Sequence, residues 1–226
     1  YTCPVCGHHF RRMLPYGYVT QRDNALCPNC MSLERHRLLW LWLKERSNLF
    51  EELPRLLHIA PEVCLMRHFK RCYRPSPENY VTADLESPLA QMHFDVMQIP
   101  LPDECFDVVI CNHLLEHVES DLKALYELKR VMRHGGWGIV LAPIDYSRER
   151  TLEDDSITDP EQRTRLFGQY DHRRAYGRDY VERLRKAGFD AEEIDYAAEL
   201  SEQQRGEFAL SDDKIYLVKN VSSIRA

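Results

Sequence analysis

The stretch F-D-V-V-I-C-N at residues 106–112 is the clearest β-strand in this sequence. Its run of apolar, partly β-branched residues is typical of a strand that is buried on both faces of a sheet. A helix is predicted next, over about 121–133, with Ser120 as its N-cap and Gly135 at its end. The sequence G-W-G-I-V-L-A-P at 136–143 then returns as a strand. Together these segments predict one β-α-β unit.

The alternation of strands and helices continues on the N-terminal side of this unit. Further strands are predicted at L-L-H-I-A (56–60), N-Y-V-T-A-D (79–84) and H-F-D-V-M (93–97), with a helix at 62–72. Strands that alternate with helices at this spacing form a parallel sheet with helices on both faces and right-handed crossovers. The predicted fold class is therefore α/β, and ligands are expected outside the carboxyl ends of the strands.

Several residues with a potential binding role stand at these strand ends. In chain order they are Ala60, Pro61, Glu62, Asp84, Asp95, Asn112 and His113. A carboxylate at such a position can accept hydrogen bonds from two ribose hydroxyls, and another polar group can accept one from the amine of adenine. Each residue also fits the role of a helix cap or turn former, and for Asp95 the two interpretations are equally supported.

The composition limits the classes of function that are open to this chain. Its 226 residues are 44% hydrophobic and 29% charged, which suits one globular domain with a small addition. The formal charge of −6 argues against a protein whose main task is to bind nucleic acid, since phosphate contacts need a basic surface. No apolar run approaches the ~20 residues that a membrane span needs, so we expect no membrane partner and a cytoplasmic location.

Four of the eight cysteines form two copies of one tetrapeptide, C-P-V-C with Cys3 and Cys6 and C-P-N-C with Cys27 and Cys30. Two CxxC motifs at this separation are typical of a zinc site. Four thiolates close a tetrahedral shell and leave no position for a substrate, so the predicted Zn²⁺ is structural. A redox dithiol or ordinary buried cysteines are the alternative, but these would need only one CxxC motif. The other cysteines are expected to be small core residues in a reducing compartment; they are Cys64, Cys72, Cys105 and Cys111.

A helix is predicted from Ser32, as its N-cap, to about Arg46, and its second half is apolar nearly all round. Such a helix has to be buried, so we expect it to connect the zinc module to the main domain. Arg35 and Arg37 at its start form either a solvated basic turn or part of a site on the main domain. The predicted organisation is a zinc-ribbon module at 1–31, a connecting helix at 32–50 and a main domain at 51–226.

Three segments resemble the class I S-adenosylmethionine-dependent methyltransferases that act on small molecules. They are Y-V-T-A-D-L (80–85), F-D-V-M-Q-I-P-L-P-D-E-C-F-D-V-V-I-C-N-H-L-L-E-H-V (94–118) and L-K-R-V-M-R-H-G-G-W (128–137). The resemblance covers about residues 55–219 and implies S-adenosylmethionine as the cofactor. It also implies a Rossmann-like sheet of seven strands, mostly parallel, whose last strand at 214–219 runs antiparallel.

The resemblance assigns a role to each strand end. In the family, the turn after the first strand receives the methionine part of the cofactor, the acid at the end of the second strand holds the ribose, and an Asp before a P-L-P turn faces the adenine. The implied cofactor-binding residues are Ala60, Pro61, Glu62, Asp84, Leu85, Asp95, Val96, Met97 and Asn112. By the same resemblance, Asn112 and His113 line the floor beside the reactive methyl group.

The first turn departs from the usual pattern of the family, which has an acidic residue and three glycines. The sequence H-I-A-P-E at 58–62 resembles instead a subgroup that carries a zinc ribbon, as does the helix start S-L-E-R-H-R-L-L. Pro61 lacks a backbone N–H, and Arg35 or Arg37 could offset that lost donor with a side chain.

A long, charge-rich segment follows the strand at 136–143, and we expect a lid insertion at about 144–176. Its H-x-R-x-Y portion resembles a segment that packs over the substrate side in related methyltransferases. His172 is the predicted base, because an imidazole accepts a proton near neutral pH, and His113 is the competing candidate. Arg174 and Tyr176 are predicted to bind substrate.

These features favour methyl transfer to an oxygen or nitrogen of a small polar metabolite, such as a sugar or a phosphorylated intermediate. Two other classes of function stay open. The zinc module, within the first 50 residues that carry a net charge of +4, could present RNA or protein to the main domain. Alternatively, the glycine-free turn could leave a non-catalytic scaffold.

Overall fold

The computed structural model describes residues 1–17 and 20–221, so the last five residues of the predicted main domain lie outside the described part. The strands are β1 (Leu14–Tyr16), β2 (Arg22–Leu26), β3 (Leu56–Ile59), β4 (Tyr80–Asp84), β5 (Met92–His93), β6 (Phe106–Asn112), β7 (Met132–Leu141), β8 (Leu152–Glu153), β9 (Arg174–Ala175), β10 (Asp190–Ile194) and β11 (Ile215–Lys219). The helices are α1 (Glu34–Arg46), α2 (Val63–Cys72), α3 (Asp121–Val131), α4 (Pro160–Phe167), α5 (Tyr180–Lys186), α6 (Tyr196–Glu199) and α7 (Glu202–Glu207).

The chain forms two compact units, each built from several segments. The first unit contains the described residues of Tyr1–Pro54 together with Glu62–Tyr80 and Ile194–Ile215. The second contains Arg55–Pro61, Val81–Glu193 and the described residues from Tyr216 onward. The four cysteines of the CxxC motifs therefore belong to the first unit, and the strand ends at Ala60 and Asp84 belong to the second.

The second unit is built around a seven-stranded sheet with the order β10-β11-β7-β6-β3-β4-β5. Strand β6 runs parallel to both β7 and β3, with Leu57 of β3 opposite Val109 of β6, and β4 runs parallel to β5. The last strand, β11, runs antiparallel to β7, with Leu217 opposite Ile139. The predicted α/β sheet with one antiparallel final strand is confirmed.

The central strands are held by burial of their apolar side chains. Leu56, Leu57, Val108, Val109 and Ile110 have no exposed surface. Full burial of such a side chain stabilises the fold by roughly 1.5–3 kcal/mol, and the hydrogen bonds between strands satisfy the backbone at the same time. The sheet therefore gives the strand ends a rigid base.

Helix α3 ends earlier than the sequence predicts, at Val131, and β7 begins at the next residue. Ser120 is its N-cap, as expected, and accepts a hydrogen bond from the backbone N–H of Lys123. Strand pairing ends the helix, because Met132 lies opposite Phe106 of β6. Gly135 is thus inside an irregular part of β7 and is not the end of the helix.

The first unit begins with a hairpin of β1 and β2 and continues into α1, which packs against α2 and α6. Trp40 of α1 contacts the rings of Phe50, His68 and Phe69. The helix starts at Glu34 with Leu33 as its N-cap, so the prediction of Ser32 as N-cap is wrong. The Ser32 hydroxyl lies among the cysteines instead.

The predicted lid insertion contains regular structure. Strands β8 and β9 pair in a small antiparallel sheet, and α4 begins at Pro160 with Asp159 as its N-cap. No helix among the described residues is both long and apolar enough to cross a membrane.

Candidate functional site

The four cysteines of the CxxC motifs meet at one point of the first unit. Each motif is closed by the same turn, in which Gly7 donates its N–H to the Cys3 carbonyl and Met31 donates to that of Cys27. Both Gly7 and Met31 have a positive φ, so the second turn places a non-glycine residue in the left-handed region. The two turns carry the four sulfur atoms to within 4.8 Å of one another.

The sulfur positions fit a tetrahedral metal ion. The Sγ atoms of Cys3 and Cys30 are 3.6 Å apart, and those of Cys6 and Cys27 are 3.8 Å apart. A tetrahedral ion with metal–sulfur bonds of about 2.3 Å sets its sulfur atoms about 3.8 Å apart. The hydroxyl of Ser32 lies 3.2 Å from the Cys30 sulfur and 3.3 Å from that of Cys3, where it can orient both ligands.

Arg37 supports this module from inside the first unit. It is fully buried, and its guanidinium donates hydrogen bonds to the carbonyl oxygens of Ala25, Ser32 and Phe208. These bonds use N–H groups of the Arg37 guanidinium, which was predicted to bind a substrate. Arg35, two residues earlier on α1, is half-buried.

A pocket lies at the carboxyl ends of the central strands of the second unit. The residues that line it are Ile59, Ala60, Asp84, Leu85, Phe94, Asp95, Val96, Leu114 and Val118. Five of these were predicted from the sequence as cofactor-binding residues. A carboxylate above an apolar floor suits a nucleoside, whose ribose needs acceptors and whose base needs an apolar slot.

The glycine-free turn has the backbone conformation that glycine usually provides. Ala60 has φ +47°, in the left-handed region, and its N–H donates to the carbonyl of Ala83. The residue with the smallest side chain after glycine therefore occupies the strained position. Pro61 follows it directly, and Glu62 is the N-cap of α2 in the first unit. The Glu62 carboxylate lies 3.7 Å from Nε2 of His36.

Asp84 ends β4 with one carboxylate oxygen committed to its own turn. Its Oδ1 accepts hydrogen bonds from the backbone N–H groups of Glu86 and Ser87, at 2.9 and 2.8 Å. Its Oδ2 makes no hydrogen bond to the described residues, so this atom is left for a ligand. The fixed Oδ1 holds the carboxylate in one orientation.

Asp95 and Met97 have structural contacts of their own. Asp95 lines the pocket, and its Oδ1 accepts a hydrogen bond from the N–H of Met97 at 2.8 Å, which forms a tight turn. The Met97 sulfur accepts one from the N–H of Ser120, at the start of α3. The turn and the binding interpretations of Asp95 are therefore compatible.

Asn112 and His113 follow each other at the end of β6. Asn112 is buried, while His113 has φ +50° and is partly exposed. Nδ1 of His113 lies 3.6 Å from Oε1 of Glu116, a carboxylate that is almost completely buried. Burial tends to raise the pKa of Glu116, but the nearby His113 outweighs it and holds that pKa below its ordinary value.

His172 of the lid lies beside this carboxylate. Glu116, His117 and His172 each offer one ligand atom, and these three atoms lie within 4.8 Å of one another. The rings of His117 and His172 meet edge to face, with centroids 4.7 Å apart. Burial lowers the pKa of His172, so its ring is neutral near pH 7.

Arg174 and Tyr176 are buried parts of the lid. Arg174 donates to the carbonyl oxygens of Leu115, Val118 and Glu119, and the hydroxyl of Tyr176 donates to Asp121. These bonds fix the lid to the segment after β6. The donors of both residues thus have protein partners, and their role in substrate binding stays a prediction.

Sequence reasoning selected neither Glu116 nor His117 as a functional residue. The signal that could have found them is the spacing of His113, Glu116 and His117, which are three and four residues apart in N-H-L-L-E-H. Four apolar residues of the pocket lining also went unpredicted, because single apolar residues carry no signature of a pocket. They are Ile59, Phe94, Leu114 and Val118.

Part of the chain is similar to known proteins. Residues 63–140 match the family described as methyltransferase domain. An uncharacterized methyltransferase of Schizosaccharomyces pombe is 32% identical over 78 residues, which make up 32% of this chain and 27% of that protein. This match thus spans about a quarter of the relative.

Two solved structures superpose on this chain. The carbon methyltransferase CurJ superposes with a TM-score of 0.51 at 15% identity, over 75% of this chain and 49% of that one. The YcgJ protein of Bacillus subtilis gives 0.49 at 16% identity, over 82% and 99%. At such identities the likeness concerns the fold alone. Residues 63–140, about a third of the chain, thus match a methyltransferase domain, and this segment contributes β4, β5, β6 and most of β7 to the sheet with the strand order β10-β11-β7-β6-β3-β4-β5.

Proposed function

We propose that the chain transfers a methyl group from S-adenosylmethionine to an oxygen or nitrogen of a small polar metabolite. The observation that carries this proposal is the pocket in which Asp84, Ala60 and Asp95 meet at the strand ends. Asp84 Oδ2 would accept from the ribose, and the apolar floor would hold the adenine. The left-handed Ala60 would admit the methionine part where a larger side chain would block it.

The sulfonium methyl group of the cofactor is already activated, so no covalent enzyme intermediate is needed. The protein has to align the acceptor atom with the methyl carbon, exclude water and remove a proton where the acceptor carries one. In the step, a bond forms between acceptor and methyl carbon while the carbon–sulfur bond breaks and leaves its electron pair on sulfur. The products are the methylated acceptor and S-adenosylhomocysteine.

His172 is the first candidate for the base, and His113 is the second. Nδ1 of His172 lies 3.0 Å from the carbonyl oxygen of Phe167, which can only accept, so Nδ1 carries the proton. Nε2 of the neutral ring then keeps a lone pair. The competing residue, His113, directly follows β6 and contacts Glu116.

We expect His172→Ala to lower kcat by about 100-fold or more and to leave cofactor affinity unchanged, because the residue acts on the acceptor. Steady-state kinetics with a known acceptor measures the first quantity, and calorimetry with S-adenosylhomocysteine measures the second. His172→Gln tests whether packing alone matters. Full activity of His172→Ala, together with loss of activity in His113→Ala, would assign the base to the end of β6.

The four cysteines are proposed to hold a structural Zn²⁺. Their distances fit a closed tetrahedral shell, and a hard ion such as Mg²⁺ would not choose four sulfur ligands. The ion would fix the two turns that open the first unit, and it would have no part in methyl transfer.

The nature of the acceptor can be tested directly. S-adenosylmethionine with a labelled methyl group is incubated with a cell extract and the protein, and the products are separated by size. We expect the label in small molecules, with Asp84→Ala as the matched control that shows little transfer. Label in RNA or protein would support instead the alternative in which the first unit presents a macromolecule.

A further inference from the structure

We infer that Glu116, His117 and His172, here named the Glu-His-His cluster, bind a divalent transition-metal ion that holds the methyl acceptor. The inference rests on the proposed function, because the ion would act on the acceptor of that reaction. All three residues belong to the second unit, and their ligand atoms lie within 4.8 Å of one another.

The carboxylate of the cluster is the first independent observation. Glu116 has 1% of its surface exposed, and its Oε2 has no hydrogen-bond partner among the described residues. Its Oε1 lies 3.6 Å from His113, a long contact. A buried carboxylate oxygen without a partner is costly, and a bound cation is one of the few ways to satisfy it.

The two imidazoles have the oxygen partners that metal-ligating histidines usually have. Nδ1 of His172 faces the carbonyl oxygen of Phe167 at 3.0 Å, and Nδ1 of His117 faces Oδ2 of Asp171 at 3.3 Å. Since both oxygens act as acceptors, Nδ1 is the protonated nitrogen in each ring. This leaves the Nε2 lone pairs for the ion, and the oxygen partners make those nitrogens more basic.

The donor set indicates the class of ion. Two imidazoles and one carboxylate suit Zn²⁺, Mn²⁺, Co²⁺ or Fe²⁺ better than Mg²⁺ or Ca²⁺, which prefer oxygen ligands. Three protein ligands leave coordination positions open, unlike the four cysteines. Methyl transfer changes no oxidation state, so the ion needs only to act as a Lewis acid.

An ion at this position would select acceptors with oxygen donors. It would lower the pKa of a bound hydroxyl, so that the oxygen attacks the methyl carbon as its proton leaves. The proton would pass to a base, for which His113 is then the remaining candidate because Nε2 of His172 is used by the ion. The carbon–sulfur electron pair stays on sulfur, as in the reaction without an ion.

Cobalt titration tests the cluster without any methyl acceptor. Co²⁺ is added to protein that holds one Zn²⁺ per chain, enough for the four cysteines alone, and its visible d–d absorption is followed, with S-adenosylhomocysteine affinity measured in parallel. We expect one Co²⁺ per chain with no thiolate-to-cobalt charge transfer, because zinc fills the cysteine site. Glu116→Gln and His172→Ala should each weaken Co²⁺ binding by more than about tenfold, while the exposed His134→Ala should leave it unchanged.

One further variant tests the orientation of the ligands, and one variant named above guards against a folding defect. Asp171→Asn should weaken Co²⁺ binding by about tenfold through the orientation of His117. Glu116→Gln preserves side-chain size, so it carries the test if His172→Ala does not fold. Absent Co²⁺ binding, or equal affinity in the wild type and Glu116→Gln, would overturn the ion site. S-adenosylhomocysteine binding would separately decide the proposed function.

Discussion

Replacement of Cys27 by serine should remove the metal from the first unit and unfold residues 1–50. A serine hydroxyl is a much weaker zinc ligand than a thiolate, and binding of a structural zinc contributes roughly 10–16 kcal/mol in small zinc domains. Because the site forms only in the folded chain, loss of the ion and loss of folding go together. Metal analysis of the purified variant measures the first, and limited proteolysis measures the second.

Cys72→Ser is the matched control, since Cys72 is a half-buried cysteine of the same unit that lies outside the CxxC motifs. It should keep one zinc per chain. The fluorescence of Trp40 and Trp42 on α1 reports on the packing of this unit. Purified wild-type protein without any zinc would contradict the expectation.

The second large effect is expected for Asp121→Ala in the second unit. Arg183 donates two hydrogen bonds to the Asp121 carboxylate, at 2.5 and 2.9 Å, and the buried hydroxyl of Tyr176 donates a third at 2.9 Å. The variant leaves a partly buried guanidinium and a buried hydroxyl without this acceptor. Removal of one partner from such a pair costs about 3–5 kcal/mol, which urea unfolding would measure. The exposed Asp155→Ala should unfold like the wild type.

The contribution of Asp121 should depend on pH in a defined direction. Burial raises the pKa of this carboxyl, but hydrogen bonds and charge from Arg183, with the charge of Arg174, outweigh burial and lower it. When the folded-state pKa of a carboxyl is lowered, the charged group stabilises the fold at pH values above its unfolded-state pKa, which is about 3.9 for Asp. This stabilisation is lost as the pH falls through the folded-state pKa. The difference between wild type and Asp121→Ala should therefore be full near pH 7 and shrink below about pH 4. A constant difference across that range would contradict this origin.

Much of the sheet could be predicted because its physical causes are local. The strand at 106–112 and the caps around Ser120 depend on residues that are close in sequence. The end of α3 could not be predicted in this way, because Met132 joins β7 through pairing with a separate strand. The prediction of Ser32 as the N-cap of α1 failed for a similar reason, since its hydroxyl lies beside cysteine sulfur atoms from both motifs.

The same distinction between local and distant causes applies to the candidate site. Asp84 and Ala60 were found because the ends of parallel strands share one edge of a sheet, and the pocket does bring them together. Glu116 is buried beside a histidine from the distant lid, which no local pattern reports. Arg174 belongs to a charge-rich stretch, yet it is buried, and its guanidinium donates hydrogen bonds to three carbonyl oxygens of the segment after β6.

Binding of S-adenosylhomocysteine to the purified chain tests the central claim most directly. Calorimetry should find one saturable site per chain in the wild type. Asp84→Ala should weaken the binding by more than tenfold, or over ~1.4 kcal/mol, because its Oδ2 is the proposed acceptor for the ribose. Glu86→Ala, beside it on the same turn, is the control and should bind like the wild type. No binding by the wild type, or an unchanged dissociation constant in Asp84→Ala, would contradict the account.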